Sequence, residues 1–98
     1  MKKITEGDIV ISVQGRDKGM YYMVICSLSD NYYSLVNGDN KKFDCPKRKA
    51  KKHIEYAGKN VEHIKLKLNH NQKIFDSEIY SAIKKFKEEK LQDNPERK

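Results

Sequence analysis

Thirteen consecutive residues carry most of the net charge of this chain, and their side chains are suited to binding phosphate groups. Residues 41–53 hold seven of the 21 lysines and arginines and only one of the 14 acidic residues. Their net charge is therefore +6, in a chain whose net charge is +7. The rest of the chain is therefore close to neutral. A charge concentrated in this way indicates a surface for a polyanion. We name residues 41–53 the basic segment.

The second candidate for phosphate binding is a loop with a glycine at each end, Gly15-Arg16-Asp17-Lys18-Gly19, which we name the glycine loop. Glycine permits a sharp turn and a close approach of the backbone to another surface. Arg16 and Lys18 are then placed to contact phosphates, and Asp17 to orient one of them. The loop lacks the spacing and the Ser/Thr of a P-loop. The alternative is a solvated hairpin loop with ordinary surface charges.

Aromatic side chains accompany both charged segments. Tyr21 and Tyr22 follow the glycine loop, while Tyr32, Tyr33 and Phe43 lie before or within the basic segment. Because side chains alternate along a strand, we expect one tyrosine of each pair to face the core and the other to face solvent. An outward tyrosine can stack on an unpaired base, whereas an inward one contributes to the core.

The residues that could support catalysis or bind a metal are not arranged for either role. No nucleophile has a nearby base, and no carboxylate pair has a spacing typical of catalysis. The two cysteines, Cys26 and Cys45, and the three histidines lack the short spacings of structural zinc sites, so we predict reduced thiols and no metal or other cofactor. We expect a cytoplasmic protein, because no signal peptide or membrane span is evident.

The first half of the chain is typical of short antiparallel strands. Alternating or β-branched runs predict strands at residues 8–13, 20–28, 32–36, 41–43 and 53–55. The pattern places Ile9, Ile11 and Val13 on one face of the first strand and Tyr22, Val24, Cys26 and Leu28 on one face of the second. Asn37-Gly38 predicts a type I′ hairpin turn before the fourth strand. Five such strands favour a small SH3-like barrel, with Phe43 and Ile54 anchoring the basic segment.

The second half of the chain predicts helices. A helix is predicted over residues 77–91, with an N-cap from Asp76-Ser77 and an end at Asn94-Pro95, because five residues have helical spacing: Ile79, Tyr80, Ile83, Phe86 and Lys87. Residues 60–69 fit a strand or a short helix capped by Asn60, and we favour the helix because no strand partner is evident. The chain is thus divided into a barrel with the basic segment, residues 1–56, and a helical extension, residues 57–98.

The order of these parts resembles a known family. Residues 7–19, with the run to Ile25, resemble a KOW motif, and the closest similarity is to the small bacterial KOW-domain RNA-binding proteins. These are similar to a class of archaeal and eukaryotic large-subunit ribosomal proteins. The resemblance rests on the glycine loop, Tyr21-Tyr22, residues 36–39 and residues 47–53, and it covers roughly residues 6–54. It departs at Met20, where a basic residue is usual. It implies the barrel and RNA binding, but not residence in a ribosome.

We therefore expect a mainly β protein with helices that binds RNA and is not an enzyme. Structured RNA is the expected partner, ribosomal RNA first, in a ribosome or another ribonucleoprotein, with no membrane and no small-molecule substrate. The expected RNA contacts are Gly15, Arg16, Asp17, Lys18, Gly19, Lys41, Lys42, Lys47, Arg48, Lys49, Lys51, Lys52 and His53. The alternative is a protein-interaction module that docks on a ribosome- or transcription-associated partner through the barrel or the C-terminal helix. Non-specific DNA binding is a third hypothesis.

Overall fold

The protein is a five-stranded antiparallel sheet with two helices packed on one face. A computed structural model describes residues 3–29 and 31–92. The elements are β1 (Asp8–Ser12), β2 (Tyr21–Ser27), β3 (Tyr32–Val36), β4 (Lys47–Ala50), a 3₁₀ turn (Lys51–His53), β5 (Ile54–Asn60), α1 (Glu62–Asn69) and α2 (Asp76–Gln92). The prediction of a mainly β fold with helices is confirmed. The predicted helix end at Asn94-Pro95 lies outside the described residues.

The sheet is open but strongly curled. Its strand order is β4-β3-β2-β1-β5, so β4 and β5 are its edges in the part of the chain that the structure describes. In a flat sheet these edges would lie about 19 Å apart, since neighbouring strands are about 4.8 Å apart. The 3₁₀ turn nevertheless joins the two edges directly, and the chain from Ala50 to Ile54 can span at most about 14 Å. The sheet must therefore bend to bring its edges towards each other.

Both faces of the sheet are buried, each in its own apolar cluster. The helix-side core contains Ile9, Met23, Val36, Val61, Ile64, Ile74, Ile79 and Ile83. The inner core contains Val10, Tyr22, Val24, Tyr33, Leu35 and Ile54, all from strands, with Ile4 packed against it. Because the inner core contains no helical residue, the curled sheet covers much of this face itself.

The two cores explain why burial in these strands departs from simple alternation. Ile9, Ile11 and Val13 were predicted to share one face, yet Ile9 and its neighbour Val10 are both fully buried, one in each core. In the second strand Tyr22 and Val24 share the inner core, whereas Cys26 and Leu28, predicted on the same face, are exposed. The pairing of β2 with β3 shifts register between Val24 and Cys26, so the simple alternation ends there.

The predicted fourth strand and its turn were wrong. Residues 41–43 lie in a loop, and the fourth strand is β4, Lys47–Ala50. Asn37 is not in the positive-φ region that a type I′ turn requires. Its side-chain oxygen instead accepts hydrogen bonds from the backbone N–H groups of Asp39 and Lys41, 2.9 and 3.0 Å away. These bonds form a wider loop over residues 37–46, which we name the docking loop.

The helical predictions were confirmed, with different caps. Residues 62–69 form α1, but its N-cap is Val61; the Asn60 amide donates to Asp8 Oδ1 at 2.8 Å instead. Asp76 is the first residue of α2, and its carboxylate accepts the Phe43 N–H of the docking loop at 2.7 Å. The predicted short strand at 53–55 is β5, which continues to Asn60, so the expected boundary at residue 56 falls inside a strand.

A carboxylate joins the two helices. Glu78 Oε2 accepts the Phe75 N–H at 3.0 Å, and its Oε1 accepts a bond from Lys67 Nζ of α1 at 2.6 Å. These two donors hold the pKa of Glu78 below its ordinary value. Within residues 3–29 and 31–92, no helix has both the length and the apolar composition needed to cross a bilayer.

Candidate functional site

The glycine loop and β4 meet at one carboxylate, although some 30 residues separate them in the chain. Lys49 Nζ lies 2.5 Å from Asp17 Oδ1, and Lys47 Nζ lies 3.7 Å from Asp17 Oδ2. Side chains alternate along β4, so Lys47 and Lys49 both point towards the loop, while Arg48 points to the other face. Asp17 thereby joins the two segments that the sequence identified separately.

Two hydroxyl groups complete the surroundings of Asp17. Ser12 Oγ donates to Oδ1 and Tyr22 Oη to Oδ2, each at 2.9 Å. Desolvation raises the pKa of Asp17, but hydrogen bonds from Lys49, Ser12 and Tyr22 outweigh it and hold the pKa well below the ordinary range. Desolvation and the adjacent carboxylate raise the pKa of Tyr22. Asp17 is therefore an ionised acceptor inside a nearly closed network.

Lys49 differs from the other basic residues because its charge is satisfied inside the protein. Its side chain is 9% exposed, and its ammonium also donates to the Gln14 carbonyl at 2.7 Å. Asp17 was expected to orient Arg16 or Lys18, yet its basic partners are Lys49 and Lys47. Lys49 and Asp17 thus hold the loop against the strand.

Most of the other predicted binding cations are exposed. Arg16 and Lys18 are exposed in the glycine loop, as are Arg48, Lys51 and Lys52 in the basic segment, while Lys47 is half-buried. In the described chain, none of these five exposed residues forms an ion pair with an acid. Their charges are therefore directed to solvent or to a ligand.

Tyrosines position two of these cations. The Arg48 guanidinium lies over the Tyr32 ring, 4.2 Å from its centroid, and Lys51 Nζ lies 5.6 Å from that of Tyr33. Such contacts restrict the side chain while leaving its charge available. The expected alternation holds for this pair, since Tyr33 is buried and Tyr32 is half-exposed. Tyr21 instead packs edge-on against Phe86 of α2, with centroids 5.6 Å apart.

The 3₁₀ turn presents Lys51 and Lys52 on a fixed backbone. The Lys51 N–H donates to the Asn31 carbonyl at 2.8 Å, and the His53 carbonyl accepts the Val13 N–H at 2.9 Å. Ile54, directly after the turn, is buried in the inner core. The expected anchoring of the basic segment by Ile54 is confirmed, and the half-buried Phe43 packs against the helix-side core.

Lys41 and Lys42 lie in the docking loop, apart from the strand that carries the other basic residues. The strand registers place this loop at the same end of the sheet as the glycine loop. Lys42 is exposed and Lys41 is half-buried. The expected binding residues are thus divided between two neighbouring loops, β4 and the 3₁₀ turn.

Sequence reasoning missed a part of the surface that α2 contributes. A groove beside Gly19 and Met20 is lined across from them by Tyr80, Lys84 and Lys87. Lys87 follows the buried Ile83 by four residues, so it lies on the helix face that is turned towards the sheet. This spacing is the feature of the sequence that could have identified Lys87 as part of the surface. The two lysines extend the positive surface beyond the basic segment.

The apolar stripe of α2 is used inside the protein. Ile79 is fully buried, Ile83 is 5% exposed, and both belong to the helix-side core, with Phe86 packed against it. These are the side chains that the alternative of a docking helix requires. Their burial leaves Tyr80 as the exposed aromatic residue on that part of the helix.

The described residues offer little support for a metal site or a disulfide. Across residues 3–29 and 31–92, no group of three His, Cys, Asp or Glu side chains is placed to hold a metal ion. Cys26 and Cys45 are exposed free thiols. No protein-family model matches the chain, and no curated protein matches it.

Proposed function

We propose that this protein is a non-catalytic RNA-binding protein that contacts structured RNA, ribosomal RNA first, through phosphates and shape. One observation carries the proposal: the bonds of Asp17 to Lys49 and Lys47 hold the glycine loop against β4. Two cationic segments distant in sequence are then one rigid surface. A rigid array of cations binds a folded polyanion with less loss of side-chain entropy than a flexible tail does.

The basic residues have two roles in this proposal. The exposed cations contact phosphates directly: Arg16, Lys18, Arg48, Lys51 and Lys52, with Lys41, Lys42 and His53 at the margins. Asp17 and Lys49 hold the glycine loop against β4, and Lys47, with a side chain 30% exposed, takes part in both roles. Contacts of this kind give affinity and orientation with little reading of base sequence.

The fold is proposed to be an SH3-like KOW barrel. Support comes from the strand order, the short link between the two edge strands and the inner core made by strands alone. The preference for RNA over DNA, a cytoplasmic location and a role in translation rest on the resemblance of the glycine loop and the strands around it to KOW proteins.

The proposal is tested by reversing the three exposed charges of β4 and the 3₁₀ turn, with the variant Arg48→Glu, Lys51→Glu, Lys52→Glu. Its matched control, Lys59→Glu, Lys73→Glu, Lys85→Glu, makes the same charge change at exposed lysines elsewhere. Binding of a structured RNA hairpin is followed by fluorescence anisotropy at several salt concentrations. If five cations each contact one phosphate, the logarithm of the affinity should fall with the logarithm of the salt concentration, with a slope of about −3.5 where the RNA is single-stranded.

The variant with Arg48, Lys51 and Lys52 reversed, which we name the β4 variant, is expected to lose RNA binding. The control variant should keep most of its RNA binding, because its substitutions remove no proposed phosphate contact. Circular dichroism should show both folded. Equal weakening of the two variants would mean that net charge alone attracts RNA, and unchanged binding of the β4 variant would refute the proposed surface. A DNA hairpin bound as tightly as RNA at equal salt would favour the DNA hypothesis.

A further inference from the structure

A largely apolar groove opens beside the 3₁₀ turn, on the side of β5. Its volume of about 610 Å³ falls within the usual range of roughly 300–1,000 Å³ for ligand pockets. Ile54 and Tyr33, both buried, form its floor, and the half-buried Ile4 and Tyr56 form its walls. The groove thus offers aliphatic and aromatic surface to a flat apolar ligand.

The rim of this groove is positively charged. Lys3, Lys51 and Lys52 line it with exposed side chains, against one acid, Glu55. An apolar floor under a cationic rim matches a ligand with a flat apolar part and an attached anion. A nucleotide has this composition, since its base is aromatic and its phosphate is negative.

The same two lysines also border a second, smaller depression. Asn31, Tyr32 and Ala50 line it together with Lys51 and Lys52. The 3₁₀ turn is therefore a cationic ridge with an aromatic side chain on each flank, Tyr32 on one and Tyr56 on the other. Proteins that bind single-stranded nucleic acid combine these elements, with cations along the backbone and rings beneath the bases.

We propose that the groove binds an unpaired nucleotide of the RNA, with its base against Tyr56, Ile4 and Ile54 and its phosphate on Lys51 and Lys52. This inference rests on the proposed function and adds the kind of RNA that is bound, a stem with an unpaired base beside it. Continuity with the proposed RNA surface favours a nucleotide over an acidic peptide, because two of the rim lysines, Lys51 and Lys52, belong to the basic segment.

The test compares one RNA stem in two forms, blunt and with a short single-stranded overhang, on the wild type, Tyr56→Ala and Phe75→Ala. Phe75 is an exposed aromatic residue, 56% exposed, that lies outside this groove and outside the proposed binding surface, so it is the matched control. Tyr56→Ala is expected to weaken binding of the overhang RNA about tenfold, as loss of a stacking ring does. It should leave the salt slope and binding of the blunt stem unchanged, and Phe75→Ala should bind both as the wild type does.

A second measurement uses the wild type and does not depend on the folding of a variant. In a ¹H–¹⁵N titration with a trinucleotide, the amide signals of Ile4, Ile54 and Tyr56 are expected to shift together. Absence of these shifts, or an equal loss on both RNA forms in Tyr56→Ala, would overturn the inference. A poly-glutamate peptide that shifts the same signals would assign the groove to an acidic protein partner instead. If the wild type binds neither RNA at low salt, the proposed function itself fails.

Discussion

At the scale of single residues, Asp17 connects the glycine loop to β4. Its carboxylate accepts bonds from Lys49, Ser12 and Tyr22 and is 14% exposed. No buried side-chain nitrogen or oxygen lacks a partner among the described residues. Removing Asp17 would therefore leave the Lys49 ammonium poorly compensated, and loss of one partner of a buried pair is costly.

We predict that Asp17→Asn lowers the free energy of unfolding at pH 7 by about 3 kcal/mol. The folded pKa of Asp17 is depressed, so the unfolded state binds protons first as pH falls. Its stabilisation is present above the unfolded pKa of about 3.9 and is lost below it, as pH falls towards the folded pKa. Urea unfolding from pH 2 to pH 7 should show a smaller acid loss in the variant than in the wild type.

The control for this prediction is Asp44→Asn, which makes the same charge change at an exposed position. Glu78 also has a depressed pKa, but it is present in the wild type, in Asp17→Asn and in Asp44→Asn. Its contribution to the pH dependence of stability therefore cancels when these proteins are compared. Parallel stability curves for Asp17→Asn and the wild type would contradict the role given to Asp17.

At the scale of elements, the docking loop is held against the first turn of α2. Phe43 donates to the Asp76 carboxylate, and Gly38, at φ +77°, lies against the helix backbone. A Cβ atom on Gly38 would collide with the Asp76 carbonyl oxygen and lie 2.6 Å from the Tyr80 nitrogen. Only glycine allows both this dihedral angle and this close approach.

We predict that Gly38→Ala destabilises the protein by more than about 2 kcal/mol, because strain and a backbone collision combine. Gly19→Ala is the matched control: its φ is +92°, but beyond its two chain neighbours no residue has a heavy atom within 4 Å of the added Cβ. The difference in unfolding free energy between the two variants, from urea melts, measures the collision. Equal destabilisation would show that the loop does not pack closely on α2.

At the scale of the whole molecule, the helices and the sheet share a core. The helix-side core takes residues from β1, β2 and β3 as well as from both helices. The proposed division at residue 56 therefore separates segments that bury each other's apolar surface. Such sharing favours unfolding in a single cooperative transition.

We predict that Ile79→Ala costs about 2–5 kcal/mol, since Ile79 is fully buried and its loss leaves a cavity. Leu66→Ala, at a position 49% exposed, should change stability by less than about 0.5 kcal/mol. Far-ultraviolet circular dichroism and tyrosine fluorescence should report one coincident transition in each protein. Loss of helix signal before the tyrosine signal would mean that α2 unfolds as an independent unit.

The predictions that were confirmed concern structure set by neighbouring residues, and those that were wrong concern structure set by contacts between distant parts of the chain. Helical spacing of Ile79 and Ile83 and the aromatic run at β3 are local patterns, and both elements formed as expected. The predicted turn at Asn37-Gly38 failed because contact with α2, 40 residues later in the chain, decides the conformation of that loop. Burial along β1 departs from simple alternation because both sides of the sheet are covered.

The sequence alone determined the type of surface: a net charge of +6 within residues 41–53, tyrosines nearby and a glycine loop. Composition and short-range spacing are enough to identify such features. Only the tertiary structure decided which cations face outwards. Lys49 and Arg48 are neighbours of the same charge, yet one is buried against Asp17 and the other lies exposed over Tyr32. Strand pairing and long-range contacts make that difference, and residue type does not encode them.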